Sequence, residues 1–313
     1  MLIVPSVHTH RHDALNIHAH QRTLQVAVYT AVTGGFEKTF KEPFNCTGAD
    51  YFAFTDDSQG TRTQKASSCW RMVPATQHLK PDPRTRGMPL SIETYRTNAN
   101  IAKYHKLNPH LLKELQPYKY VIWVDGTQWL KQSLASPVFQ HILGNTSTLT
   151  AFEHCTHNPP SRWERCRHGR VDTEIFQTAS VVSVLKRQPG GYAGQYKDAD
   201  FDAQRSYYAQ AGFKDLWFRT DASAPDEART RPEYGVWVTC LIVMNLMNPD
   251  TLRLLDAWWI ENANTTMQDQ VTLSFAVWRT QVFPHSLPAH GVTGSWFSSS
   301  LHKKMPHNKR RLR

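Results

Sequence analysis

The stretch Tyr118 to Gly126 constrains the fold of this chain more than any other. Tyr118, Tyr120, Val121, Ile122, Trp123 and Val124 form an apolar, β-branched and aromatic run that stops on Asp125 and Gly126. A run of this kind bounded by turn formers predicts a strand covered on both faces, as in parallel α/β sheets. Ligands of such sheets bind outside the carboxyl ends of the strands, and a glycine after the acid lets a ligand approach the backbone. An ordinary Asp-Gly turn would look the same, so the rest of the chain has to distinguish the two.

Two further segments repeat the pattern. Residues 24–32 predict a strand running into Gly34 and Gly35, and residues 50–57 predict one ending at Asp56 and Asp57. Thr30 of the first strand, the Gly34-Gly35 turn and either Asp56 or Asp57 are expected to line a cleft shared with Asp125. Between these strands and Asp125, the segment Ile92 to Leu115 has helical spacing, with Tyr104, Leu107, Leu111 and Leu115 on one side and a bend expected at Pro109. Lys103, Lys106 and His110 follow one another at i, i+3 and i+7, on one face near the Asp125 edge. That face could hold a diphosphate, although spacing alone leaves a solvated basic stripe open.

Farther along, residues 148–154 and 236–244 predict strands, and residues 250–263 and 267–279 predict helices. Asp250 is the expected N-cap of the first helix, and Thr265 or Thr266 that of the second. Trp258 and Trp259, at helical spacing from Leu252 and Leu255, read as core. The polar region from Pro159 to Thr230 is expected to hold long loops around the site. The fold class is α/β, a central mostly parallel sheet flanked by helices. Its organisation is a histidine-rich leader at 1–23, one domain at 24–300 and a basic tail at 301–313.

Composition narrows the function. At 313 residues there is ample length for a large core, and a net charge of +10 suggests an anionic partner. Much of the basic clustering falls in the terminal tail, which argues against an interleaved aromatic and basic nucleic-acid surface. The five cysteines are odd in number and lack a C-x-x-C pair, which predicts neither a zinc cluster nor a disulfide scaffold. With no signal-peptide pattern at the start and no apolar run long enough for a bilayer, a soluble, cytoplasmic protein is expected. In that setting the sequons at Asn45, Asn145 and Asn264 would be without consequence, as chance triplets often are.

No G-x-G-x-x-G, P-loop, G-x-S-x-G or H-E-x-x-H motif occurs, which disfavours ordinary dinucleotide, ATP, serine-hydrolase and zinc-protease sites. The order of VYTAVTGGF, YFAFTDD, KYHKLNPH, YVIWVDG, FEH, QRSYYAQAGF, AWWIEN and QDQVTLSF resembles the mucilage-related glycosyltransferase-like domain, over roughly residues 24–280. That family is similar in turn to GT-A glycosyltransferases, whose Rossmann-like sheet carries a strand-terminal D-x-D motif. The resemblance implies a GT-A-like fold. It also implies transfer of a sugar from a nucleotide-sugar donor to a hydroxyl of a glycan or glycoconjugate, with Mn²⁺ or Mg²⁺ as cofactor.

By that resemblance Asp125 stands for the first acid of D-x-D, reaching the metal or the donor ribose beside Gly126, while Thr127 replaces the second acid. Asp269 and Gln270 match an R-D-Q element whose arginine is Gln268 here, and they would carry catalysis by binding acceptor hydroxyls or acting as base. At the start of a helix, a carboxylate such as Asp269 also serves the helix dipole. His154 and Glu164 would contact the acceptor, and His290 would be a late metal ligand. Thr127 and Gln268 leave a second reading open, a nucleotide-sugar- or glycan-binding protein without transfer. A basic nucleic-acid-binding protein is the third.

Overall fold

The computed structural model describes residues 25–33, 42–43, 45–56, 68–75, 98–126, 128–131, 133–153, 201–213, 237–265, 269–287 and 297–299. Its centre is a seven-stranded sheet in the order β3-β2-β1-β4-β7-β6-β8. The strands are β1 (Val26–Val32), β2 (Asp50–Thr55), β3 (Trp70–Pro74), β4 (Tyr120–Val124), β6 (Leu149–Glu153), β7 (Trp237–Asn245) and β8 (His285–Leu287). A small antiparallel pair joins β5 (Gln128–Leu130) to β9 (Phe297–Ser299). The helices are α1 (Asn98–Leu107), α2 (Pro137–Asn145), α3 (Phe201–Gln210), α4 (Pro249–Asn264) and α5 (Asp269–Thr280).

Strands β3, β2, β1 and β4 run parallel, and β7 alone runs against its neighbours β4 and β6. The sheet is therefore mostly parallel, and the α/β expectation holds. β1 and β4 are covered on both faces, which explains their unbroken apolar sequences. Alternation splits the sheet into two cores. Ala27, Tyr29, Val121 and Trp123 meet α1, α4 and α5, whereas Val26, Val28, Ile122 and Val124 meet Phe139, Ile142 and Leu143 of α2. Trp258 and Trp259 are buried in the first core, as their spacing predicts.

Three local expectations are corrected. The basic helix is shorter than its periodicity: α1 ends at Leu107, and Pro109–Leu111 form a separate 3-10 turn, because proline cannot continue the ladder. The N-cap of α4 is Asn248, whose side chain accepts from Asp250 N–H at 2.9 Å with Pro249 filling the first helical position, so Asp250 lies inside the first turn. Thr265 closes α4, its hydroxyl donating to the Glu261 carbonyl at 3.0 Å, and does not open α5.

Cysteine chemistry is the fourth correction. Cys46 and Cys69 form a disulfide, with Cα atoms 5.3 Å apart. Both residues precede adjacent parallel strands, and the pairing of Tyr51 with Trp70 brings the two strand starts side by side. No spacing rule reports such a pair, since β-sheet register and not sequence proximity creates it. No helix among the described residues is long and apolar enough to cross a membrane.

Candidate functional site

The strand order reverses between β1 and β4: from β1 the chain moves outward through β2 and β3 on one side, then returns to β4 on the other. Such a switch point opens a crevice beyond the carboxyl ends of the two strands. Asp125 follows β4 at that end. Its N–H donates to the Cys240 carbonyl at 2.9 Å, and its carbonyl accepts from Gln128 N–H at 2.8 Å, which fixes the turn.

Its side chain is 38% exposed, and among the described residues both of its bonds fall on one oxygen. That Oδ1 accepts from the Trp123 indole at 2.6 Å and lies 3.2 Å from Lys106 Nζ. Trp123 sits two residues earlier on the same sheet face, so strand alternation itself aligns the indole with the carboxylate.

Lys106 is buried, as a lysine seldom is, and it bridges two acids. Its ammonium also contacts Asp269 Oδ2, and it lies 5.4 Å from the Trp123 ring centre. Asp269 opens α5 and is buried in turn. Its Oδ1 lies 2.6 Å from Lys103 Nζ, and its Oδ2 also accepts from the Thr239 hydroxyl at 2.8 Å. Its carbonyl accepts from the Trp258 indole at 3.0 Å.

Burial alone would push the Asp269 carboxyl up, but Lys103 and Lys106 outweigh it and hold it well below the usual carboxylate range. For Lys106 too, burial is outweighed, and Asp125 and Asp269 raise its pKa. At Lys103 burial prevails and lowers the pKa despite Asp269. Cys240, on β7 beside Asp125, has its thiol pushed far up by burial and then by the Asp125 charge, so it is a neutral thiol and not a nucleophile.

The remaining expected residues are placed unequally. His110 leaves the lysine face and pairs with Asp256 of α4 at 3.2 Å, because α1 stops before it. Thr30 is buried on the sheet face of Val26 and Val28, opposite that of Trp123, and its hydroxyl has no partner among the described residues. Asp56 directly follows β2 at the same end of the sheet as Asp125. Gln270, second in α5, is half-buried, and its carbonyl accepts from Ser274 at 3.2 Å. Gly126 follows Asp125 in the turn. Gly34, Gly35, Asp57, His154, Glu164 and His290, together with Thr127 and Gln268, lie outside the described residues.

Sequence reasoning missed Thr239 and the Trp123 indole. The second was legible from its i−2 position; the first was not, because it comes from the antiparallel strand. Of the two acids in the cluster only Asp125 keeps an oxygen, Oδ2, that could ligate a divalent ion, and His290 lies outside the described residues. Asp125 has an ammonium on one oxygen, Asp269 is saturated by cations and a hydroxyl, and no cluster of three metal-binding side chains occurs among the described residues.

Among solved structures, the chain is similar to the mannosyltransferase Ktr4p from S. cerevisiae, with 11% identity, 88% of this chain and 70% of that chain covered, and a TM-score of 0.43. It is also similar to mouse xyloside xylosyltransferase 1, with 9% identity, 85% of each chain covered and a TM-score of 0.40. At that distance neither likeness assigns a role to a residue here. No family model matches the chain, and no curated protein matches it, so the resemblance to the mucilage-related family rests on motif order alone.

Proposed function

We propose that this chain is a GT-A-like glycosyltransferase that moves a sugar from a nucleotide-sugar donor to a hydroxyl of a glycan or glycoconjugate. The observation that carries this reading is the half-exposed carboxylate of Asp125 at the switch point of the sheet, held from behind by Trp123 and Lys106. A carboxylate oriented by two donors and open on its other side suits recognition of vicinal hydroxyls, such as those of a donor ribose.

Lys103, 15% exposed on its side chain, is the ammonium best placed to meet the diphosphate that departs as the glycosidic bond forms. Gly34, Gly35, Asp56 or Asp57, and Gly126 complete the donor side in this reading, and His154 and Glu164 the acceptor side, while Thr30, buried on the opposite sheet face, is left out of it.

The role of Asp269 changes from the one the motif suggests. A general base needs an accessible lone pair and a pKa near the working pH, whereas this carboxylate is buried, fully bonded and held low. Asp269 is a positioning residue that sets Lys103 and Lys106 at the crevice. No step is routed through Mn²⁺ or Mg²⁺.

The saturated Asp269 is also the observation that favours a second reading, binding of a nucleotide sugar without transfer. A thermal-shift screen of nucleoside-diphosphate sugars, run with Mn²⁺ and with chelator, tests the donor site. A ligand at a hundred times its Kd adds about 2.7 kcal/mol to stability, readily visible as a raised Tm. Stabilisation of the parent but not of Asp125→Ala supports the site. No stabilisation by any donor defeats both readings, and stabilisation without release of nucleoside diphosphate in the presence of glycan acceptors leaves only the second.

A further inference from the structure

We infer that this chain matures in an oxidising compartment and carries an N-linked glycan on Asn145. Two independent observations converge. The first is the Cys46–Cys69 disulfide, which requires two thiols to give up two protons and two electrons to a disulfide-bearing oxidant. Such bonds persist in the lumen of the secretory route or outside the cell and are rare where thiol reductants prevail.

The second is the sequence N-x-S/T, which occurs at Asn45, Asn145 and Asn264 and which the fold treats in three different ways. Asn264 is held within the fold. Its Nδ2 donates to the Ile260 carbonyl at 2.7 Å and its Oδ1 is buried, while Thr265 of the same triplet is tied to Glu261 and Gln204. A sugar on this nitrogen would break the end of α4.

Asn45 is half-buried beside the disulfide, and its Oδ1 accepts from both the N–H and the hydroxyl of Thr47 at 3.3 and 3.0 Å. Asn145 alone of the three is exposed, as the last residue of α2, with Ser147 of its triplet exposed as well. Its Nδ2 also donates one turn back, to the His141 carbonyl at 2.8 Å, and lies 3.1 Å from the His141 ring, but unlike at Asn264 both residues are exposed, so water can replace these bonds, and a Cβ placed on Gly144 would meet nothing within 4 Å.

The position also spares the crevice. Leu149, which opens β6, aligns with Met244 of β7 and through it with Val121 of β4. β6 and β4 therefore run the same way, with Asn145 before the start of β6 and Asp125 past the end of β4. A glycan on Asn145 projects from the pole of the sheet opposite Asp125.

In the attachment itself, Nδ2 of Asn145 loses a proton and bonds to C1 of the first sugar. The bond from C1 to a lipid-linked diphosphate breaks, and the lipid diphosphate departs. The inference stands against the cytoplasmic expectation drawn from the start of the sequence and its apolar runs, and it does not depend on the proposed transferase activity.

The test uses the full natural coding sequence expressed in the cells that make the protein. The isolated chain is alkylated without reduction, then treated with an amidase that removes N-glycans and leaves aspartate where a glycan was, and mapped by peptide mass. The expected result is aspartate at position 145 in most molecules, asparagine at 264, and Cys46 and Cys69 protected from alkylation; Ser147→Ala abolishes the amidase-sensitive mass while Cys46 and Cys69 stay protected. Recovery of unmodified Asn145 overturns the inference whatever the state of the cysteines, and so does a glycan confined to Asn45 or Asn264.

Discussion

Asp269 and Glu261 are both carboxylates buried around the junction of α4 and α5, with 4% and 3% exposure, yet their acidities are shifted in opposite directions. Asp269 faces Lys103 and Lys106 and stays ionised far below the usual range. Glu261 is bonded by Tyr208 and Tyr207 and feels Arg279 only at a distance. Burial wins there and pushes its carboxyl up to about 7, with Oε1 left without a partner. Burial alone therefore does not say whether an acid is charged; the number of cations within contact does. Around Asp269 two acids and two lysines balance, so the cluster is a neutral framework with one open oxygen at Asp125, and not a free basic patch.

The contrast is broken most severely at Asp269. Asp269→Asn leaves Lys103 without its acid and the buried Lys106 with Asp125 alone, and unfolding by denaturant is expected to show a loss of about 3 kcal/mol. A loss below about 1 kcal/mol would mean that the lysines reach water without it. Replacing Asp269, Lys103 and Lys106 together by Leu, Met and Met is expected to recover part of that loss, since no charge is then left unpaired.

At Glu261 the sign reverses. The folded chain holds its proton more tightly than the unfolded chain, so this contribution to stability is full below about pH 4.5 and is lost as pH rises through about 7. The span corresponds to about 3 kcal/mol, to be read from stability measured between pH 4.5 and 8. Glu261→Gln is expected to flatten that slope. An unchanged slope would place the titration elsewhere. Asp269 contributes oppositely, with stability present above the ordinary carboxylate range and lost on strong acidification.

The smallest expected effect on stability is at Asp125. Its carboxylate is 38% exposed, so Asp125→Asn is expected to cost less than about 1 kcal/mol in folding while removing donor binding. Large destabilisation without loss of binding would make Asp125 a structural partner of Lys106 and nothing more.

Some of this was legible beforehand. The apolar runs at 26–32, 50–55 and 120–124 became β1, β2 and β4 with parallel pairing, because strands covered on both faces write themselves as unbroken apolar segments. The basic spacing of Lys103 and Lys106 did put both on one helical face, but His110 fell past the end of the helix at a proline-led turn. Spacing alone did not show that the face is shared between the crevice and the core, with Lys103 keeping 15% exposure and Lys106 buried. Lys106 is spent on two acids of the chain itself.

The amino-acid sequence by itself determined the main strands β1, β2, β4, β6 and β7, the helices α1, α4 and α5, and that an acid would stand after β4, since periodicity and turn residues act within a few positions along the chain; β3, α2 and α3, the last inside a region expected to be loops, were not legible in it. Tertiary structure decided what those residues meet. The antiparallel course of β7, the meeting of Lys106 with Asp269 across 163 positions, and the joining of Cys46 to Cys69 all follow from strand order and register. Those depend on how the chain closes loops over long separations, and local pattern carries no record of the partner that closure will bring.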